Sequence, residues 1–171
     1  DLMNKFKGQA EKLGSKIIQS QVTKVGKKDN NWLVKTAKEE YQAKSLILAL
    51  GTVPKKLAVP GEQELLGRGL SYCVTCDGPF FKNKIVAVIG GSDGAVTGAL
   101  FLSNICQKVY IIYRRAQLRC ETAWLDKIKN QNNIEVITSA QPKEVAGQAK
   151  VSKLILDNGQ ELAVDGVFVN I

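Results

Sequence analysis

Hydrophobic positions along this chain of 171 residues change their period part-way through. Residues 4–14 read as the end of a helix closed by Gly14. Lys16-Ile17-Ile18, Gln21 to Val25, Trp32 to Thr36 and Ser45 to Leu50 are short and rich in β-formers. Turn material such as Lys28-Asp29-Asn30-Asn31 separates them. Residues 15–50 are therefore expected to form a small antiparallel meander. Its last member, the apolar run Leu46 to Leu50, is expected to be a buried strand. Gly51-Thr52-Val53-Pro54 breaks that strand. Residues 55–70, with Pro60-Gly61 and Gly67-Arg68-Gly69, read as a connection between domains.

After Gly78 strands and helices alternate. Lys84 to Ile89 reads as a strand, Asp93 to Cys106 as a helix and Val109 to Tyr113 as a second strand. Thr122 to Asn130 reads as a second helix, with Trp124, Leu125 and Ile128 on one face, and Ile134 to Thr138 as a third strand. This βαβαβ order predicts an α/β fold built on a parallel sheet. Lys143 to Val145, Val151 to Leu156 and Glu161 to Val164 follow as further strands. Asn158-Gly159 joins the last two as a hairpin turn. Val167 to Asn170 opens one more strand. The chain starts without an initiator Met and stops inside that strand, so it is expected to be a piece of a longer protein.

Composition narrows the classes. Hydrophobic residues make up 44%, enough for a sizeable core, and charged residues make up 23%, which argues against disorder. No apolar run reaches the roughly 18–20 residues of a spanning helix, so no membrane is expected. The opening Asp1-Leu2-Met3-Asn4-Lys5 does not lead into a signal-peptide core. The net charge of +8 fits a basic soluble surface, an acidic partner or an anionic cofactor. No nucleic-acid motif accompanies that charge, so no nucleic-acid partner is expected. The absence of His excludes an imidazole base and disfavours zinc, so no metal is expected.

Three segments carry candidate chemistry. Gly90-Gly91-Ser92-Asp93-Gly94-Ala95 follows a strand and opens a helix, as a dinucleotide turn must. Gly90 makes the tight turn, Ser92 stands where a glycine usually lets the backbone approach a pyrophosphate, and Ala95 keeps helix and strand close. The helix N-terminus then offers N–H groups to phosphate. The second strand ends in Arg114-Arg115, with Arg119 four residues after Arg115. NAD-selective folds place an acidic residue about 20 residues after the glycines. Here Arg114 lies 24 residues after Gly90, which favours NADP over NAD.

The third segment is Cys73-Val74-Thr75-Cys76-Asp77-Gly78. Two sulfurs at this spacing close a small disulfide ring, and one thiolate can attack a partner disulfide while the other resolves it. Asp77 is adjacent for proton transfer. Redox chemistry is the favoured reading, ahead of a structural disulfide and of zinc, which needs two more ligands. Cys106 on its helix reads as buried and inert, and Cys120 has no assigned role.

In order along the chain, these motifs resemble the low-molecular-weight, bacterial-type thioredoxin reductases. Cys73 to Gly78 is similar to their active-site motif, and Val88 to Ala95 to their nicotinamide turn, with departures at Ser92 and Gly94. Tyr113 to Arg119 is similar to their 2′-phosphate clamp, with Tyr113 in place of His. Leu48 to Pro54 and Pro60-Gly61-Glu62 match the handover from flavin to nicotinamide domain. The resemblance implies Rossmann-like FAD/NAD(P)-binding architecture. Residues 1–57 would be part of a discontinuous FAD domain. Residues 58–165 would form the NADPH domain with its Cys-x-x-Cys motif, and 166–171 would begin the return. It implies FAD and NADPH as cofactors, with Ala49, Gly51 and Thr52 on the FAD side and Gly90–Ala95, Arg114, Arg115 and Arg119 on NADPH. It implies catalysis by Cys73, Cys76 and Asp77, thioredoxin or a thioredoxin-like protein as partner, a homodimer and a cytoplasmic location. The family's flavin glycine motifs lie outside these residues, so the piece alone is expected to hold FAD poorly. Two alternatives stay open. One is a reductase of the same fold fed by ferredoxin or another donor. The other is a non-catalytic dinucleotide-binding module.

Overall fold

A computed structural model describes residues 1–171. They form two compact units, Asp1–Gly51 and Thr52–Ile171.

The first unit opens with helix α1, Leu2–Lys12, whose first turn is capped by Asp1 accepting from the Met3 amide at 3.1 Å. Gly14 follows at φ +89. Strands β1 (Val22–Lys28), β2 (Asn31–Thr36) and β3 (Glu40–Ala43) form an antiparallel sheet in that order. Asp29 and Asn30 both adopt positive φ, 47° and 64°, the two-residue turn whose twist suits a hairpin. The meander is therefore present, but its members differ from the expectation. β3 carries Glu40-Tyr41-Gln42-Ala43, too polar to register as a strand, and exists because β2 pairs with it.

Lys16–Ile18 and Ser45–Leu50 form no strand. Ile47 and Leu50 are 91% and 84% exposed, so the expected buried strand is an exposed, irregular segment. An apolar run becomes a strand only beside another strand edge with cover on its faces, and the first unit offers neither to these residues.

The second unit holds β4 (Leu70–Ser71), α2 (Val74–Asp77), a 3-10 turn (Gly78–Phe81), β5 (Ile85–Ile89), α3 (Asp93–Ser103), β6 (Lys108–Tyr113), α4 (Thr122–Lys129) and β7 (Ile134–Thr138). β8 (Pro142–Ala146), β9 (Lys153–Leu156), β10 (Glu161–Ala163) and β11 (Gly166–Val169) complete it. Five strands make one sheet in the order β4-β11-β5-β6-β7, with every pairing parallel. Alternate residues of β5 feed two cores. Val86 and Val88 join Val96, Leu102, Val109 and Phe168 beneath the helices. Ala87 and Ile89 join Leu154, Leu156, Leu162 and Val167 beneath the antiparallel sheet β10-β9-β8. Both faces are thus covered, as a parallel sheet requires.

The closing strand β11 sits inside this sheet, bonded to β4 on one side and β5 on the other. All four of its residues are buried, and such a strand is most stable at the middle of a sheet.

Candidate functional site

The turn after β5 is built by contacts that only small residues permit. Gly90 lies at φ +145, and a Cβ there would come 2.0 Å from the Asn170 carbonyl oxygen and 2.9 Å from the Ala95 Cβ. Ala95 is fully buried. So Gly90 and Ala95 hold α3 close against the C-terminal edge of the sheet. A Cβ on Gly91 would meet the Tyr113 ring at 2.4 Å, which places that ring directly over the turn. Ser92 is the N-cap of α3, yet its side chain makes no capping bond, which leaves the hydroxyl available to a ligand. Gly94 lies exposed in the first turn of α3.

The segment between β6 and α4 is sewn to this turn. The Arg119 amide donates to the Gly91 carbonyl at 2.7 Å, and Ser92 and Arg119 form an isolated parallel bridge. The Asp93 carboxylate accepts from the Glu121 amide at 2.9 Å. Asp93 thereby anchors the arginine-bearing segment, a role that its place in the motif did not disclose.

Together these elements wall a cleft of about 420 Å³. Gly90, Gly91, Ser92, Arg114, Arg115 and Arg119 line it, while Asp93, Gly94 and Ala95 stand behind it as support. Lys55 and Lys56 line it too, and sequence reasoning passed over both. No acidic side chain lines the cleft, and none of its five cationic side chains forms a salt bridge. A cavity with this lining attracts anions. The glycine turn leaves room for a backbone approach and the Ser92 hydroxyl is unused, so these residues fit the phosphates of a dinucleotide.

The cysteine pair occupies a different part of the unit. Cys73 and Cys76 are joined in a disulfide. Cys73 is the N-cap of α2, and its Sγ accepts from the Cys76 amide at 3.2 Å. Ser71 accepts from the Cys73 amide at 3.0 Å, which ties the motif to β4. Cys76 is exposed and Cys73 half-buried. The Asp77 amide donates to the Cys73 carbonyl at 3.1 Å. Asp77 follows Cys76 directly, half-buried.

Two close approaches seat this helix on α3. A Cβ on Gly98 would meet Val74 Cγ2 at 3.1 Å, and one on Gly78 would meet Leu102 Cδ2 at 3.0 Å. So α3 carries the nucleotide turn at its start and the disulfide helix along its length. The two free cysteines differ in kind from the pair. Burial, with the Asp165 charge, pushes the Cys106 thiol up to about 11. Burial and Asp93 raise that of Cys120 as well.

Ala49, Gly51 and Thr52 are exposed and irregular and do not line the cleft.

Fold and site together define a nucleotide-binding α/β domain that carries an accessible redox-type disulfide. The chain belongs to the pyridine nucleotide-disulphide oxidoreductase family, whose model matches residues 3–171. It is 42% identical over 168 residues to a thioredoxin reductase of Treponema pallidum, across 95% of this chain and 55% of that protein. The solved thioredoxin reductase of Lactococcus lactis superposes with a TM-score of 0.74 at 34% identity, covering 99% of this chain and 58% of that one. A ferredoxin-flavin thioredoxin reductase of Clostridium acetobutylicum superposes with a TM-score of 0.56 at 33% identity, covering 98% and 55%. The chain thus spans about half the length of the curated relatives it matches. The resemblance to thioredoxin reductases read from the motifs is borne out, as is the Rossmann-like α/β class.

Proposed function

We propose that the protein containing this chain is an NADPH-dependent disulfide reductase that delivers electrons to thioredoxin or a thioredoxin-like protein. The observation that carries this reading is the double use of α3. Its N-terminal turn frames a cationic cleft that suits a phosphorylated dinucleotide, and its body seats the Cys73–Cys76 disulfide.

In this reading Arg114, Arg115 and Arg119 bind the 2′-phosphate, and Gly90, Gly91 and Ser92 receive the pyrophosphate. FAD, when bound, supplies two-electron transfer between nicotinamide and disulfide. Residues 1–57 belong to the domain that holds it, with Ala49, Gly51 and Thr52 on its side. Two electrons and two protons convert the Cys73–Cys76 disulfide to two thiols. The Cys76 amide stabilises negative charge on Cys73 Sγ, so Cys73 is the attacking thiolate. It forms a mixed disulfide with the partner and expels one partner thiolate. Cys76 then attacks Cys73, which restores the ring and releases the second partner thiolate. Asp77, next to Cys76, holds the proton exchanged in that step. In this reading the protein is a cytoplasmic homodimer, as the resemblance implies.

Calorimetric titration with NADPH tests the reading, with NADH and an Arg114→Ala variant in parallel. Tight NADPH binding that NADH does not match and that the variant loses is the expected result. Absence of NADPH binding in folded protein defeats it. A reductase of the same fold fed by a ferredoxin-type donor would then be favoured.

A further inference from the structure

The arginines supply only one side of the cleft's charge. Lys55 and Lys56 come from the connector ahead of β4, and they line the same cleft as Ser92, Arg114 and Arg115. Both are exposed and neither forms a salt bridge. Two lysines on a connector would ordinarily be solvated and mobile. Here the residues just after them are pinned by a buried carboxylate.

Glu62 is only 4% exposed. Its Oε1 accepts from the Leu57 amide and its Oε2 from the Ala58 amide, each at 2.8 Å, and the Tyr72 hydroxyl donates to Oε1 as well. Leu57 and Tyr72 pack against the core. Gly61, at φ +82, leaves no room for a Cβ, which would lie 1.8 Å from the Val145 carbonyl oxygen. Ala58 is held at φ +56, a conformation that a non-glycine residue keeps only where its surroundings impose it. Freeing the connector would take the Leu57 and Ala58 amides from the buried Glu62 carboxylate and leave its charge undercompensated. The ordering of residues 57–58 is therefore complete before any ligand arrives, which lowers the entropy lost on binding.

We propose that Lys55 and Lys56 form a second jaw of the anion clamp, gripping a phosphate of the dinucleotide across the cleft from Arg114 and Arg115, and that Glu62 is the positioning residue that holds this jaw in place. The inference rests on the nucleotide reading given above. Compact ammonium groups on flexible stems suit phosphate as point charges, beside arginines that bind it as planar forks.

The test is calorimetric titration of the intact protein with NADPH. It compares wild type, Arg114→Ala, the pair Lys55→Ala/Lys56→Ala, Glu62→Gln and the combination of all three connector changes. Losing two solvent-facing charge contacts should weaken binding about tenfold. Glu62→Gln should weaken binding by roughly threefold. It should have no further effect on affinity once both lysines are gone, although it still lowers the melting temperature. That non-additivity separates positioning from a general structural role. NADPH binding that survives loss of both lysines, while Arg114→Ala still reduces it, overturns the second jaw and leaves the nucleotide reading intact. Equal weakening by Glu62→Gln with and without the lysines overturns the positioning role. A wild-type protein that binds no NADPH overturns both readings.

Discussion

Replacing Gly90 by Ala separates the two demands that the nucleotide turn makes on its first residue. The backbone at φ +145 lies where only glycine is unstrained, and forcing alanine there costs about 1–3 kcal/mol. The new methyl would also stand 2.0 Å from the Asn170 carbonyl oxygen, so that carbonyl must move. Its residue donates from Asn170 N to the Ile89 carbonyl at 2.8 Å, and weakening that bond adds about 1 kcal/mol. The sum is roughly 3 kcal/mol of lost stability. Gly159 provides the control. It also has positive φ, +86, but a methyl there meets nothing within 4 Å. Gly159→Ala should therefore cost only the conformational part, about 1–2 kcal/mol. Urea unfolding followed by far-ultraviolet circular dichroism measures both, provided that the slopes of the transitions match wild type. If Gly90→Ala costs no more than Gly159→Ala, the claimed close approach between turn and sheet edge is wrong.

Other outcomes follow from individual side chains. In the reduced protein, iodoacetamide at pH 8 should label Cys73 and Cys76 well before Cys106, whose thiol is pushed up to about 11; peptide mass spectrometry after timed quenching reads the order. Burial alone raises the Glu62 carboxyl, but Tyr72, the Leu57 and Ala58 amides and the Lys56 charge bring it below its ordinary 4.5. Folding therefore favours the carboxylate, and this stabilisation is complete above about pH 4.5 and lost as pH falls through the lower folded value. Melting temperature should drop less steeply across that acid range in Glu62→Gln than in wild type. Burial and Glu62 push Tyr72 up to about 12, so its stabilisation is complete below pH 10 and lost between 10 and about 12. Tyr72→Phe should flatten the melting profile in that alkaline window.

Much of the second unit was legible from the chain because its signals are local. The alternation from Lys84 to Thr138 predicted β5, α3, β6, α4 and β7 within a few residues, since strand and helix periods differ and each element buries a defined face. The glycine turn, the arginines and the paired cysteines were recognisable because their chemistry depends on spacing along the backbone. Elements that exist only through a distant partner escaped notice. β4 has two residues and forms because β11 lies beside it, and α2 has four residues and rests on α3.

The sequence by itself determined the α/β class, the nucleotide turn, the cationic strand end and the redox spacing, because these reside in short-range patterns of size, charge and period. Tertiary structure alone decided that β11 inserts between β4 and β5 and that Ser45–Leu50 forms no strand. It also decided that Asp93 ties down the arginine segment and that Lys55 and Lys56 share the cleft with arginines some 60 residues away. Burial, hydrogen-bond pairing and charge clustering at these points join residues far apart along the chain, and no local pattern encodes them.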